Sequence, residues 1–168
     1  MMPEPRETPQ PWWRGTRGEW YVVAQVALIA LVFLGPRTMP GLPVWPVRFA
    51  RAASILGVTL GCGGVALLLA GVLKLGAGLT PLPYPRPGTS LARTGAYGLV
   101  RHPMYSGGVQ IAYGWGLLTH GWLTLLYATV LLIFLDIKSA REERWLAQKF
   151  DDYADYRRRV RKLIPFIY

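Results

Sequence analysis

Long apolar stretches alternate with short polar ones along the chain, and the positions of the charges mark out the elements. No acidic, basic or histidine side chain falls between Glu19 and Arg37, and none between Arg51 and Lys74. Between Tyr105 and Ile137 the only ionisable side chains, tyrosines aside, are His120 and Asp136. A hydrocarbon layer about 30 Å thick is crossed by about 20 residues of helix, and each of these stretches is of that order. The pattern predicts transmembrane helices over residues 19–34, 49–75, 103–118 and 122–138. Trp20 and Tyr21 act as interfacial anchors of the first. Thr119, His120 and Gly121 form a turn so short that the last two helices must be antiparallel neighbours. After Lys138 the pattern turns polar, and Leu146, Phe150 and Tyr153 fall at i, i+4 and i+7, one helical face. The expected fold is therefore an all-α integral membrane protein of about four transmembrane helices plus a cytoplasmic C-terminal amphipathic helix. It is read as one domain over residues 1–168, with a helix pair at 19–75 and a second part at 79–165.

Composition agrees with this pattern. Hydrophobic residues make up 52% of the 168 and charged ones 17%, against roughly 25% charged in ordinary soluble domains. The first apolar run follows Trp12 and Trp13 and precedes Gly35-Pro36-Arg37, with no small-residue cleavage pattern, so it reads as a retained helix. The net charge of +10 would suggest nucleic acid in a soluble protein. Here it indicates sorting of basic residues to one membrane face, in contact with anionic lipid. With four spans, sixteen of the lysines and arginines share a side with both termini, and only Arg37, Arg48 and Arg51 lie on the other. Both termini are therefore expected to be cytoplasmic. The run 157–162, which holds Arg157, Arg158, Arg159, Arg161 and Lys162, reads as a headgroup contact.

Small residues suggest how the helices meet. Gly57 and Gly61 form a GxxxG on the second span, and Gly108, Ala112 and Gly116 a ridge on the third. Cys62 is read as a small packing residue; alone it forms neither an internal disulfide nor a metal cluster, and no metal site is expected. The loop 80–87 alternates proline with other residues and favours extended backbone, as a stiff connector or as the wall of a pocket.

Two places carry candidate chemistry. At the first, Pro103 suits the opening turn of a helix. Arg101 and His102 then sit at a helix mouth, where unpaired N–H groups favour anions. Gly107 and Gly108 leave room there for a ligand or a neighbouring helix. At the second, Glu142 and Glu143 lie just past the fourth span, where one can face inward and the other outward. The plain alternative is that they make surface pairs with Lys138, Arg141 and Arg144. His120 lies away from both places and reads as structural. Asp136 is a candidate by its depth, or else a helix-end charge paired with Lys138 or Arg101.

Together, Arg101-His102-Pro103-x-Tyr105-x-Gly107, a helical hairpin, Glu142-Glu143 followed by Leu146, Phe150, Tyr153, Tyr156, Arg159 and Val160, and then Ile164-Pro165 resemble the isoprenylcysteine carboxyl methyltransferase family. That family is similar to the membrane phospholipid N-methyltransferases. The resemblance covers about residues 79–165. It implies methyl transfer from S-adenosylmethionine to an amphiphilic, lipid-like acceptor, most like carboxyl methylation of an isoprenylcysteine. Phospholipid N-methylation and thiol methylation remain open. The resemblance also implies cofactor contacts at Thr89, Ser90, Leu91, Ala92, Tyr97, His102, Pro103, Met104, Tyr105 and Glu142. A basic residue before the glutamates, Lys138 or Arg141, would orient the acceptor. Catalytic candidates are Arg101, His102 and Glu143: Glu143 or His102 as base for an amine, and Arg101, or else Lys138, to favour ionisation of a thiol. More distant readings are an NADPH-dependent membrane reductase, similar in its C-terminal helices, and a non-enzymatic membrane scaffold.

Overall fold

A computed structural model describes residues 18–76 and 90–168. The described part is helical: α1 (Glu19–Leu34), α2 (Val47–Leu75), α3 (Ala96–Leu99), α4 (Pro103–Leu118), α5 (Trp122–Lys149) and α6 (Tyr153–Arg159). An isolated parallel bridge joins Val100 to Arg161. The proline-rich loop and Thr89 lie outside the described residues, as do Arg6, Arg14, Arg17 and Arg86 of the charge count. Two helices, α2 and α5, are long and apolar enough to cross a membrane. At 16 residues each, α1 and α4 span about 24 Å at about 1.5 Å per residue.

α2 runs antiparallel to α4, and α5 antiparallel to both α4 and α1, whereas α1 and α4 run parallel and meet where Phe33 packs on Trp115. Glycine decides how closely α2 and α4 approach. A methyl group added at Gly107 would lie 2.5 Å from the Gly64 carbonyl oxygen, and one at Gly114 would lie 2.7 Å from that of Gly57. Further along, Gly71 meets Pro103 and Met104. The contact ridge of α4 is thus Gly107 and Gly114, whereas nothing lies within 4 Å of a side chain built at Gly108. Ala112 and Gly116 turn instead to α5, Gly116 against Leu125 and Ala112 into the core with Val32, Ala128, Leu131 and Leu135.

α1 packs on α5, pairing Tyr21 with Phe134 and, near its far end, setting Gly35 against Tyr127. Many large apolar side chains of α2 stay exposed, including Ile55, Leu56, Val58, Val65, Leu69 and Leu73, as suits a helix with an outward apolar face. Cys62 is exposed as well, so it is not the packing residue its small size suggests.

The polar tail behaves differently from its periodicity. α5 runs unbroken from the apolar stretch to Lys149, and Phe150 leaves the helix with extended backbone angles. Tyr153 therefore begins a separate seven-residue helix, α6, and Leu146, Phe150 and Tyr153 do not share one helical face.

Candidate functional site

The antiparallel order brings the start of α4 beside the polar end of α5. Pro103 opens α4, and His102 occupies the N-cap position with no side-chain capping bond. Its ring turns to α5 instead. Nδ1 lies 3.5 Å from a Glu142 oxygen and Nε2 3.2 Å from a Glu143 oxygen, and the ring stacks on Tyr105, with centroids 5.6 Å apart. The Tyr105 hydroxyl donates to Glu142. Burial opposes a charge on the imidazole, but the bonds and charges of Glu142 and Glu143 outweigh it and raise the His102 pKa above the ordinary histidine value.

Glu143 is the more enclosed acid. Arg101 donates to it through Nε at 2.8 Å, and Arg157 approaches at 3.7 Å. The Arg101 side chain is 8% exposed and donates to the carbonyls of Arg157 and Val160. The adjacent carboxylates thus divide their surroundings. Glu143 faces Arg101, Arg157 and His102, and Glu142 faces Tyr105 and His102.

The chain after α6 holds this arrangement from the other side. The Arg101 amide donates to the Arg161 carbonyl at 2.8 Å and the His102 amide to that of Lys162 at 3.2 Å. Ser106 donates to the Leu163 carbonyl, and Tyr156 to the Tyr97 carbonyl. Tyr97 is buried, and burial together with the nearby Tyr156 and Glu142 raises its phenol pKa well above the usual value. Tyr156 is pushed up to about 12, chiefly by burial.

The two basic candidates are distinguished by their surroundings. Lys138 is 2% exposed. Its ammonium bonds Gln25 of α1 at 2.6 Å and lies 5.2 Å from the centre of the Tyr105 ring. Arg141 is braced outside, over the rings of Tyr21 and Trp145. Arg101, His102, Tyr105, Lys138, Glu142 and Glu143 are therefore brought together, with Tyr97 close by. Pro103 and Met104 partly face Gly71 of α2, and the approach of Ser90, Leu91 and Ala92 is an open coil.

Asp136 takes partners other than Lys138 or Arg101: Lys162 at 2.5 Å and the Tyr168 hydroxyl at 3.1 Å. His120 bonds Ser54 and the Ala50 carbonyl at the far end of the bundle. Two contributors were missed by sequence reasoning. Gln25 carried a signal, a lone amide in an apolar helix. The backbone pairing of residues 160–163 carried none, because main-chain bonds leave no trace in side-chain pattern.

Comparison with known proteins bears on the same region. A family model described as phospholipid methyltransferase matches residues 52–153. Cobalt-zinc-cadmium resistance protein CzcN of Cupriavidus metallidurans is 30% identical over 149 residues, 88% of this chain and 62% of that protein. Methanethiol S-methyltransferase 1 of Bradyrhizobium diazoefficiens is 39% identical over 71 residues, 42% of this chain and 24% of its own. Delta(14)-sterol reductase TM7SF2 of Mus musculus is 35% identical over 99 residues, 55% of this chain and 23% of its own. The chain spans about three-fifths of the length of CzcN and of nickel-cobalt-cadmium resistance protein NccN of Alcaligenes xylosoxydans xylosoxydans, which it also matches. The family match runs from α2 through the start of α6 and includes Tyr97, Arg101, His102, Tyr105, Lys138, Glu142 and Glu143, so the chain belongs to the phospholipid methyltransferase family.

Proposed function

We propose that this protein transfers a methyl group from S-adenosylmethionine to an amphiphilic acceptor at the cytoplasmic end of a single four-span helical domain. The observation that carries the reading is the joining of Tyr105 on α4 to Glu142 on α5, with His102 set between the two acids. The residues suit the cofactor. Glu142 offers oxygens to amine and hydroxyl donors and an opposite charge to a sulfonium. When bound, the cofactor supplies an electrophilic methyl group that an acceptor attacks in line, so catalysis rests on positioning and on exclusion of water.

Each side chain has a task in this reading. Tyr105 and His102 orient Glu142 toward the cofactor. Arg101, with Glu143 and Arg157, fastens the loop before α4 to α5 and α6. Lys138 orients the acceptor from the bundle side, a place that Arg141 does not share. An amine acceptor must lose a proton, and Glu143, ringed by Arg101, His102 and Arg157, is a poor base. A carboxylate or thiolate needs none, so we favour an anionic acceptor. The isoprenylcysteine-type carboxylate fits that class, and the likeness to a methanethiol S-methyltransferase brings in a hydrophobic thiol. The acceptor enters from the lipid between helices while the cofactor enters from the cytoplasm.

The test is direct binding to the detergent-solubilised full chain. S-adenosylmethionine is expected to bind and NADPH not; the reverse result would support the reductase reading that the sterol reductase likeness raises. Glu142→Gln should weaken cofactor binding tenfold or more, since a hydrogen bond to a charged group contributes about 1.5–3 kcal/mol, while the unfolding midpoint stays near that of the wild type. Unchanged affinity would remove Glu142 from the site. A methyl-transfer screen over isoprenylated thiol acids, hydrophobic thiols and phosphatidylethanolamine then ranks the acceptors.

A further inference from the structure

α1 lies outside the residues matched by the family, which begin at residue 52, yet it reaches into the buried cluster at one point. From Val22 to Leu34 its side chains are apolar with one exception, Gln25. An amide set among such residues is costly unless a partner takes its hydrogen bonds. Gln25 finds its partner across the bundle, accepting from the Lys138 ammonium at 2.6 Å. The same ammonium lies over the Tyr105 ring, whose hydroxyl donates to Glu142. Lysine is a compact charge on a flexible four-carbon stem, so an oxygen held on a neighbouring helix helps to set where that charge sits.

We propose that Gln25 is a positioning residue that aims the Lys138 ammonium at the head of the methyl acceptor, so that α1 sets acceptor preference without touching the cofactor. A neutral amide suits this task better than a carboxylate. It holds the ammonium in place without cancelling the charge that an anionic head would meet. The inference rests on the methyl-transfer reading above and assigns its acceptor selectivity to a helix outside the family match.

The experiment uses the full chain in detergent, saturated with S-adenosylhomocysteine, with decanoate and decylamine as probes of equal chain length and opposite charge. Wild type is expected to prefer decanoate. Gln25→Leu should weaken decanoate about tenfold while changing S-adenosylhomocysteine affinity less than twofold. Gln25→Glu keeps an oxygen acceptor at the same reach but adds a negative charge. It should weaken decanoate at least as much and strengthen decylamine. If Gln25 only fastens α1 to α5, Gln25→Glu keeps wild-type preference, and that result overturns the proposal even if Gln25→Leu fails to fold. Loss of S-adenosylhomocysteine binding in step with decanoate binding overturns it too. A wild type that binds no S-adenosylhomocysteine brings down the methyl-transfer reading itself, and this inference with it.

Discussion

His102 and His120 show how the same side chain takes different work from its surroundings. His102 is buried between two acids and stacked on Tyr105, whereas His120 ties a turn to Ser54 and Ala50. His102→Ala is expected to lower turnover about 100-fold, the scale of a displaced catalytic constellation, and His120→Ala only a few-fold; a methyl-transfer assay compares them, and equal effects would count against the site. His102 also has a pH signature. Its folded-state pKa is raised, so its pairing with Glu142 and Glu143 stabilises the fold fully below the unfolded histidine pKa of about 6.5. That contribution is lost as pH rises through the higher folded value. The unfolding midpoint of wild type minus that of His102→Gln should therefore shrink from pH 6 to pH 9. A difference independent of pH would mean that the imidazole is not charged in the folded state.

At the scale of elements, the spacing of α2 and α4 depends on glycines that touch backbone. Gly107→Ala places a methyl group 2.5 Å from the Gly64 carbonyl and 2.8 Å from the Leu68 amide nitrogen. Neither can move without separating the helices. The expected cost is about 1–3 kcal/mol, the range for overpacking a close-packed contact. Gly108→Ala, one position along, meets open space and should leave the thermal midpoint nearly unchanged. Equal destabilisation by the two would show that the close approach of α2 does not set the cost, since the higher helix propensity of alanine favours both variants. The same approach of α2 to α4 presses Gly71 on Pro103 and Met104 and so supports the mouth of α4.

At the scale of the whole molecule, antiparallel packing sends the basic residues to opposite ends. Arg37, Arg48 and Arg51 gather where α1 ends and α2 begins, with Arg37 over Trp115. Arg101, Lys138, Arg141 and Arg157 gather at the other end, around the acids. The proposed four-span arrangement makes a simple labelling prediction. In a Cys62→Ala background, Met39→Cys should react with an impermeant maleimide added outside intact cells, and Arg93→Cys only after the membrane is opened. Labelling of both from the same side would refute the arrangement.

The sequence by itself determined the helices and the residues at their polar ends. Apolar runs, Pro103 and the twin acids act locally, through burial, fixed backbone angles and charge, and need no knowledge of the fold. The positions of α1, α2 and α4 and the start of α5 could be read from that pattern to within a few residues, whereas α5 runs on to Lys149, well past the expected end of the span at Lys138. Only the tertiary structure decided which side chains face one another. Gly107 rather than Gly108 meets α2, Lys138 rather than Arg141 turns inward, Asp136 pairs with Lys162, and Gln25 reaches Lys138 across 113 positions of chain. A helix turns about 100° per residue, so which of two neighbouring side chains points inward depends on the helix packed beside it.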